Sequence, residues 1–257
     1  MKKMTALGGL FAVLALSACG GGSDAEPVKP PPATVVTGVE GFWSGTTSNA
    51  LNVQGAVLEN GETWSIVTDA GGIPVGFSQG TVQTSAGDLL NGSAQYLNAV
   101  DNFAVSSRKT ESVSYTGRYS VRDAIETTTT AGVKFWGRYG TGYEQIATVS
   151  QLVGAFSGTG IANQIKTAVP ITVSVTTGGL VSIPNYPGCS IRGTAVPRAS
   201  GRNVFDLPLT FSGTDCPVAS GSVVQSVVFY NEGTRALQIM GFTTSKSDSF
   251  VFTGTKS

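Results

Sequence analysis

The sequence has no histidine in 257 residues. Histidine is the side chain that titrates nearest neutrality, so its absence excludes Ser-His-Asp and Cys-His catalysis and the commonest zinc ligand. Charge is scarce: Asp, Glu, Lys and Arg make up 12% of the chain, about half the usual share. The 16 basic and 16 acidic side chains cancel, which leaves no electrostatic footprint for nucleic acid. No apolar run reaches the roughly 18 residues of a membrane-spanning helix. The glycine pairs are not followed by Lys-Ser or Lys-Thr at phosphate-loop spacing. From these absences the sequence is expected to need no metal and no cofactor.

What is present begins with a cationic start, Met1-Lys2-Lys3, and an apolar run of ten residues from Leu7 to Leu16. That run is too short to cross a bilayer and fits the apolar part of a signal peptide. Leu16-Ser17-Ala18-Cys19 follows and resembles the bacterial lipobox, in which cleavage precedes a cysteine that takes lipid on its sulfur. The resemblance implies a signal peptide over residues 1–18, lipidation of Cys19 with fatty acids such as palmitate, and a membrane as the first partner. One acyl chain holds only marginally, at about 0.8 kcal/mol per buried CH₂, so stable anchoring needs the second or third chain such proteins carry. Gly20 in place of Asp after the cysteine matches the enterobacterial sorting pattern for the outer membrane. Periplasmic face and cell surface stay equally open. Cleavage would remove Lys2 and Lys3 and no acid, so 16 basic side chains fall to 14 against 16 acidic, a balance near −2.

Residues 20–37 are rich in Gly, Pro and Ser and include Pro30-Pro31-Pro32. With the lipidated cysteine they form a linker over 19–37, flexible at its glycines and stiffer through the prolines. Fully extended it reaches up to ~60 Å at about 3.3 Å per residue. Of the cysteines, Cys19 is assigned to lipid. Cys189 and Cys216 remain in an oxidising compartment and read as a disulfide; a two-cysteine metal site is the rival, with no His to complete it.

From Gly38 onward the pattern is strand after strand. Asn60-Gly61 between two short apolar runs predicts a hairpin with positive φ at both turn residues. Ile171, Val173 and Val175 alternate with polar residues before Gly178-Gly179, and Phe205, Leu207, Leu209 and Phe211 alternate around Pro208, which predicts an edge or bulge there. Leu237 and Ile239, then Phe250 and Phe252, supply further inward pairs. Ile146 to Val153 reads as a short helix, and Leu89 to Ala99 as a weaker one. Gly41-Phe42-Trp43-Ser44-Gly45-Thr46 is echoed 113 residues later by Gly154-Ala155-Phe156-Ser157-Gly158-Thr159. The expected fold class is all-β, with two antiparallel β-units at 38–145 and 146–257, barrel-like or sandwich-like, carrying an internal repeat.

Tyr143 through Gly158, Gly188-Cys189-Ser190-Ile191-Arg192-Gly193, Asn203-Val204-Phe205-Asp206 and Gly213-Thr214-Asp215-Cys216 resemble a group of uncharacterised proteobacterial outer-membrane lipoproteins with two all-β halves. The resemblance covers most of the chain after Cys19. It implies the two-unit architecture and brings no activity with it.

One constellation points to binding. Arg118, Arg122, Trp136, Arg138 and Tyr139, with Tyr119, Lys134, Phe135 and Tyr143 nearby, fall on two predicted strands, Val113 to Thr130 and Val133 to Tyr139. A cationic and aromatic face of this kind recognises an anionic glycan, a lipid head group or a peptide; the competing assignment is aromatic residues in the core and arginines in solvent. The acids Glu126, Glu144, Asp206, Asp215 and Glu232 are the candidates for a carboxylate pair of the glycan-hydrolase type, and no spacing fixes one. The leading expectation is a non-enzymatic, membrane-tethered protein that binds or scaffolds an envelope protein or glycan. The second is a lipocalin-like carrier of a small apolar ligand, and the third a carboxylate-dependent glycan hydrolase.

Overall fold

The computed structural model describes residues 38–85, 88–98, 110–162, 169–184, 186 and 188–257. The signal-peptide, Cys19 and linker expectations lie outside the described residues. The chain forms β1 (Gly41–Thr47), β2 (Asn52–Val57), β3 (Glu62–Thr68), β4 (Pro74–Ser85), β5 (Leu89–Asn98), β6 (Thr110–Ser120), β7 (Ala124–Thr129) and β8 (Lys134–Gly140). The helical turn α1 (Val149–Leu152) follows, then β9 (Gly154–Ala162), β10 (Val169–Val175), β11 (Leu180–Ile183), β12 (Cys189–Thr194), β13 (Val196–Pro197), β14 (Val204–Gly213), β15 (Val223–Asn231), β16 (Ala236–Thr243) and β17 (Ser249–Lys256).

Strands β1 to β8 pair in chain order, and β8 returns to β1 to close an antiparallel barrel. Strands β9 to β17 do the same, with β17 beside β9 and the ring completed where β12 pairs with β14. Both halves are therefore up-and-down barrels rather than sandwiches, a closure that removes exposed sheet edges.

The sequence echo marks the first strand of each barrel. Gly45 faces Gly137 across the β1–β8 seam, and Gly158 faces Gly254 across the β9–β17 seam. A side chain at Gly45 would overlap the Trp136 carbonyl, and one at Gly158 the Thr253 carbonyl. The equivalence continues in the covering side chains. Tyr139 lies over Gly41, and Lys256 lies over Gly154; Phe135 covers Gly137, and Phe252 covers Gly254. Val39 and Leu152, also 113 residues apart in sequence, are 0% and 1% exposed in their respective barrels. α1 carries Leu152; the predicted helix from Ile146 shrinks to one turn, braced by the Thr148 N–H donating to Gln151 Oε1 at 3.0 Å.

Several local expectations are corrected. The Asn60-Gly61 hairpin forms, but only Gly61 has positive φ, at 80°. Leu58 N–H donates to Glu62 O and Gly61 N–H to Leu58 O, at 2.8 and 2.9 Å, a type I turn followed by a bulge. Asn60 instead uses its side chain, accepting from the Glu62 N–H at 3.0 Å. Thr176 and Gly179 repeat the two backbone bonds in the second barrel. The weaker helix at Leu89 to Ala99 is the strand β5, with Ala99 outside the described residues; ladders to β4 and β6 on both sides outweigh local helical spacing. The single strand at Val113 to Thr130 is two strands, β6 and β7, separated by a turn in which Arg122 takes φ of 52°. Pro208 is on no edge: β14 has neighbours on both sides, and Pro208 sits where its pairing passes from β12 to β13.

Alternation drives the second barrel. Phe205, Leu207, Leu209 and Phe211 point inward and are 0% exposed, while Asp206, Pro208 and Thr210 point out. β15 and β16 are buried on both faces over much of their length, because their outer faces dock on the first barrel. Val227, Phe229, Met240 and Phe242 pack there against Ala56, Trp64, Ile66 and Phe77. Phe77 stacks on Phe242 with ring centroids 4.3 Å apart. Cys189 and Cys216 form the disulfide, with Cα atoms 4.7 Å apart, tying β12 to the segment after β14.

Candidate functional site

Because β3 and β4 turn Trp64, Ile66 and Phe77 outward to the second barrel, the residues between them face the lumen of the first. Those residues are small. Ser65 and Ser78 are cross-strand neighbours whose hydroxyls hydrogen-bond at 2.7 Å; Gly80, Gly92 and Ala94 continue the small-residue surface on β4 and β5. The larger inward residues Val39, Trp43, Val57, Val82, Leu90, Tyr119 and Ile125 gather toward one end as a plug. Trp43 is fixed there by its indole N–H, which donates to Val39 O at 2.9 Å.

Beyond the plug lies a cavity of about 200 Å³, walled by Trp43, Val67, Ala94, Val113, Tyr115, Thr127 and Phe135 among others. Among the described residues, no Asp, Glu, Lys or Arg is in its wall. Tyr115 lies over Gly92, where a side chain would overlap its ring, and donates its hydroxyl to Thr81 O at 3.2 Å. Burial raises the Tyr115 phenol above its ordinary range, opposed by a hydrogen bond with Thr63, so it is a neutral donor at neutral pH. Such a space offers dispersion, aromatic edges and a few hydroxyls. An apolar cavity of ~150 Å³ already holds benzene, so this one has the size for a molecule of one or two rings. The second barrel contrasts with it: its inward positions carry Phe156, Val173, Phe205, Leu207, Phe250 and Phe252, each at most 1% exposed.

The residues predicted to bind are divided between two places. Arg118, Glu126 and Trp136 are successive cross-strand neighbours on the outer wall of β6, β7 and β8, with Trp136 45% exposed. Arg138 shares that wall and pairs with Asp123 at 2.9 Å. Tyr139 points the other way, edge-on to Trp43 with centroids 5.3 Å apart, and donates its hydroxyl to Glu144. Arg122, in the β6–β7 turn, meets the same Glu144 at 3.3 Å. Burial, then the Glu144 contact, pushes the Tyr139 phenol up to about 12. For Glu144, burial alone would raise the carboxyl, but Tyr139, its own backbone N–H, Arg122 and Arg202 together hold it below the usual range.

The acids find separate partners. Asp206 joins Glu59 and Glu62 around Arg198, Asp215 lies against Gly188 and accepts from Thr214, and Glu232 sits exposed in the β15–β16 turn. Among the described residues no group of three His, Cys, Asp or Glu side chains is arranged to hold a metal.

Fold and site together define a tandem of two eight-stranded barrels, one lined inside by large buried side chains and one with an apolar cavity at its lumen. No protein-family model matches the chain, and no curated protein matches it. Among solved structures it is similar to a DUF3598-family protein of unknown function from Nostoc punctiforme, at 9% identity and a TM-score of 0.29, over 85% of this chain and 94% of that one.

Proposed function

We propose that this protein is a lipid-anchored binding protein of the bacterial envelope that takes a small, neutral, apolar ligand into its first barrel. The observation that carries the reading is the 200 Å³ cavity with no charged side chain among its described wall residues. Eight strands make a barrel just wide enough either to be filled by side chains or to enclose one small ligand, and the two halves of this chain take the two options. The second barrel is then the support, docked through β15 and β16. Binding without chemistry is the role proposed, because the described cavity wall offers hydroxyls and, among the described residues, no acid–base pair to activate them. The lipobox at Leu16 to Cys19 and the Gly20 that follows support anchoring at the outer membrane.

The test is calorimetric titration of the protein with indole, a neutral two-ring probe, beside Ala94→Leu, which fills the cavity from its wall. Saturable binding that the variant loses while keeping its thermal midpoint supports the reading. Equal heats from both proteins, or none from either, refute it. A second reading, a scaffold for an envelope protein, rests on the exposure of Trp136 beside Glu126 and Arg138 on the outer wall.

A further inference from the structure

Where the outer faces of β1 and β2 part from those of β15 and β16, the two barrels leave a cleft of about 450 Å³. It is separate in chemistry from the lumen of the first barrel. Its floor is aromatic: Phe42, half-buried, and Phe229, 5% exposed, with ring centroids 5.3 Å apart. Its rim is made of neutral polar side chains. Ser44 and Gln54 are cross-strand neighbours on the first barrel. Asn231 faces Ala236, and Gln238 faces Phe229, on the second. Gln238 reaches across and donates to Gln54 Oε1, so the rim is bridged by an amide pair from the two barrels. Among the described residues, no Asp, Glu, Lys or Arg lines the cleft.

Each class of ligand can be weighed against that lining. Small-molecule sites favour domain junctions and volumes of about 300–1,000 Å³, and this cleft meets both conditions. A charged ligand would find no counter-ion among the described lining residues. A purely apolar ligand would strand the amides and hydroxyls it covered, which costs more than an unmade contact. A peptide strand needs an unpaired sheet edge, and β1, β2, β15 and β16 each have a partner on both sides. The lining suits a neutral molecule with many hydroxyls and an apolar C–H face. Amides both donate to and accept from hydroxyls, and an aromatic floor takes the C–H face.

We propose that the inter-barrel cleft binds a short, uncharged saccharide, seated on Phe42 and Phe229 and held at the rim by Gln54, Gln238 and Asn231. This site stands independently of the lumen ligand. It is tested by titrating the full chain with chitotriose and with maltotriose, following side-chain amide signals by NMR and heats by calorimetry. The expected result is that at least one trisaccharide shifts the Gln54, Gln238 and Asn231 amides. The double variant Gln54→Ala, Gln238→Ala should weaken binding by about tenfold. Ala236→Trp, which fills the cleft from its wall, should abolish it while indole binding in the lumen persists. The proposal is overturned if neither trisaccharide moves those amides at about 10 mM, where even a ~1 mM site would be occupied. It is also overturned if binding survives in Ala236→Trp, or if an anionic glycan or a peptide competes for the cleft and the neutral sugars do not.

Discussion

Arg198, on the second barrel, places its Nη1 3.4 Å from Glu62 Oε2 on the first, and the same nitrogen lies 3.4 Å from Asp206 Oδ1. Its Nε meets Glu59 Oε1 at 3.6 Å, and its side chain is 15% exposed. One largely buried cation thus holds three carboxylates at the junction of the barrels. Arg198→Ala leaves them uncompensated and should cost about 2–3 kcal/mol, below the 3–5 kcal/mol of a fully buried pair because the acids are partly hydrated. Urea denaturation checks this; a loss under about 0.5 kcal/mol would mean that the acids find water instead.

The same cluster sets a pH dependence. Burial raises the Asp206 carboxyl above its ordinary range, Glu62 and Glu59 add to the effect, and Arg198 opposes it. The folded state therefore holds this proton more tightly than the unfolded state. Its contribution to stability falls as pH rises from the unfolded carboxylate range through the folded value, and is regained on acidification through that window. Asp206→Asn should remove this component, so the stability of wild type relative to the variant grows as pH is lowered across the window. Melting curves over mildly acidic pH measure it; parallel curves would refute it.

At the barrel seams, Gly45→Ala and Gly158→Ala should behave alike, each forcing a methyl into a carbonyl of the closing strand. Overpacking of this kind costs about 1–3 kcal/mol or more. Gly72 has positive φ of 79° but open space around it, so Gly72→Ala should lose only the ~1 kcal/mol of the left-handed backbone. Thermal denaturation of the three variants decides; a Gly72 loss equal to the seam losses would contradict the packing argument.

Reduction of Cys189–Cys216, which are 27 residues apart, should destabilise the fold by about 3–4 kcal/mol on the chain-entropy estimate. The matching measurement is the denaturation midpoint of Cys189→Ser, Cys216→Ser against the oxidised wild type. No difference would show that packing alone fixes β12 against β14.

Cys19→Ser should abolish incorporation of labelled fatty acid in growing cells and release the protein from the membrane fraction. Labelling equal to wild type would remove the proposed anchor.

Much of the fold is legible in the sequence, and the illegible parts have physical causes. Phe205 to Phe211 and Ile171 to Val175 alternate cleanly because one face meets a packed interior and the other meets solvent. The echo of Gly41 to Thr46 in Gly154 to Thr159 marks equivalent seam strands, where the close approach of two backbones demands glycine. β5 was obscured because its helix-like leucine spacing is overridden by long-range ladders that local pattern does not contain. The cavity was hidden by an inversion. On β3 and β4 the large apolar residues Trp64, Ile66 and Phe77 face outward into the barrel–barrel interface, and Ser65 and Ser78 face the lumen. Reading the apolar row as the interior of its own sheet assigns the faces backwards. The clue was present in the consecutive apolar residues Val227 to Tyr230 on β15 and Ile239-Met240 on β16, which have two buried faces to supply. Arg118 and Trp136 were brought onto one wall as the strand pattern suggested, but Tyr139 has the opposite parity on β8 and turns inward.

That the second barrel is packed with side chains while the first receives an apolar guest is tested most directly by diffraction from crystals pressurised with xenon. Xenon occupies dry apolar cavities. A xenon site is expected in the first barrel among Trp43, Ala94, Tyr115 and Phe135, and none inside the second. A first barrel without xenon, or with ordered water in its place, would contradict it, as would xenon between Phe156 and Phe205.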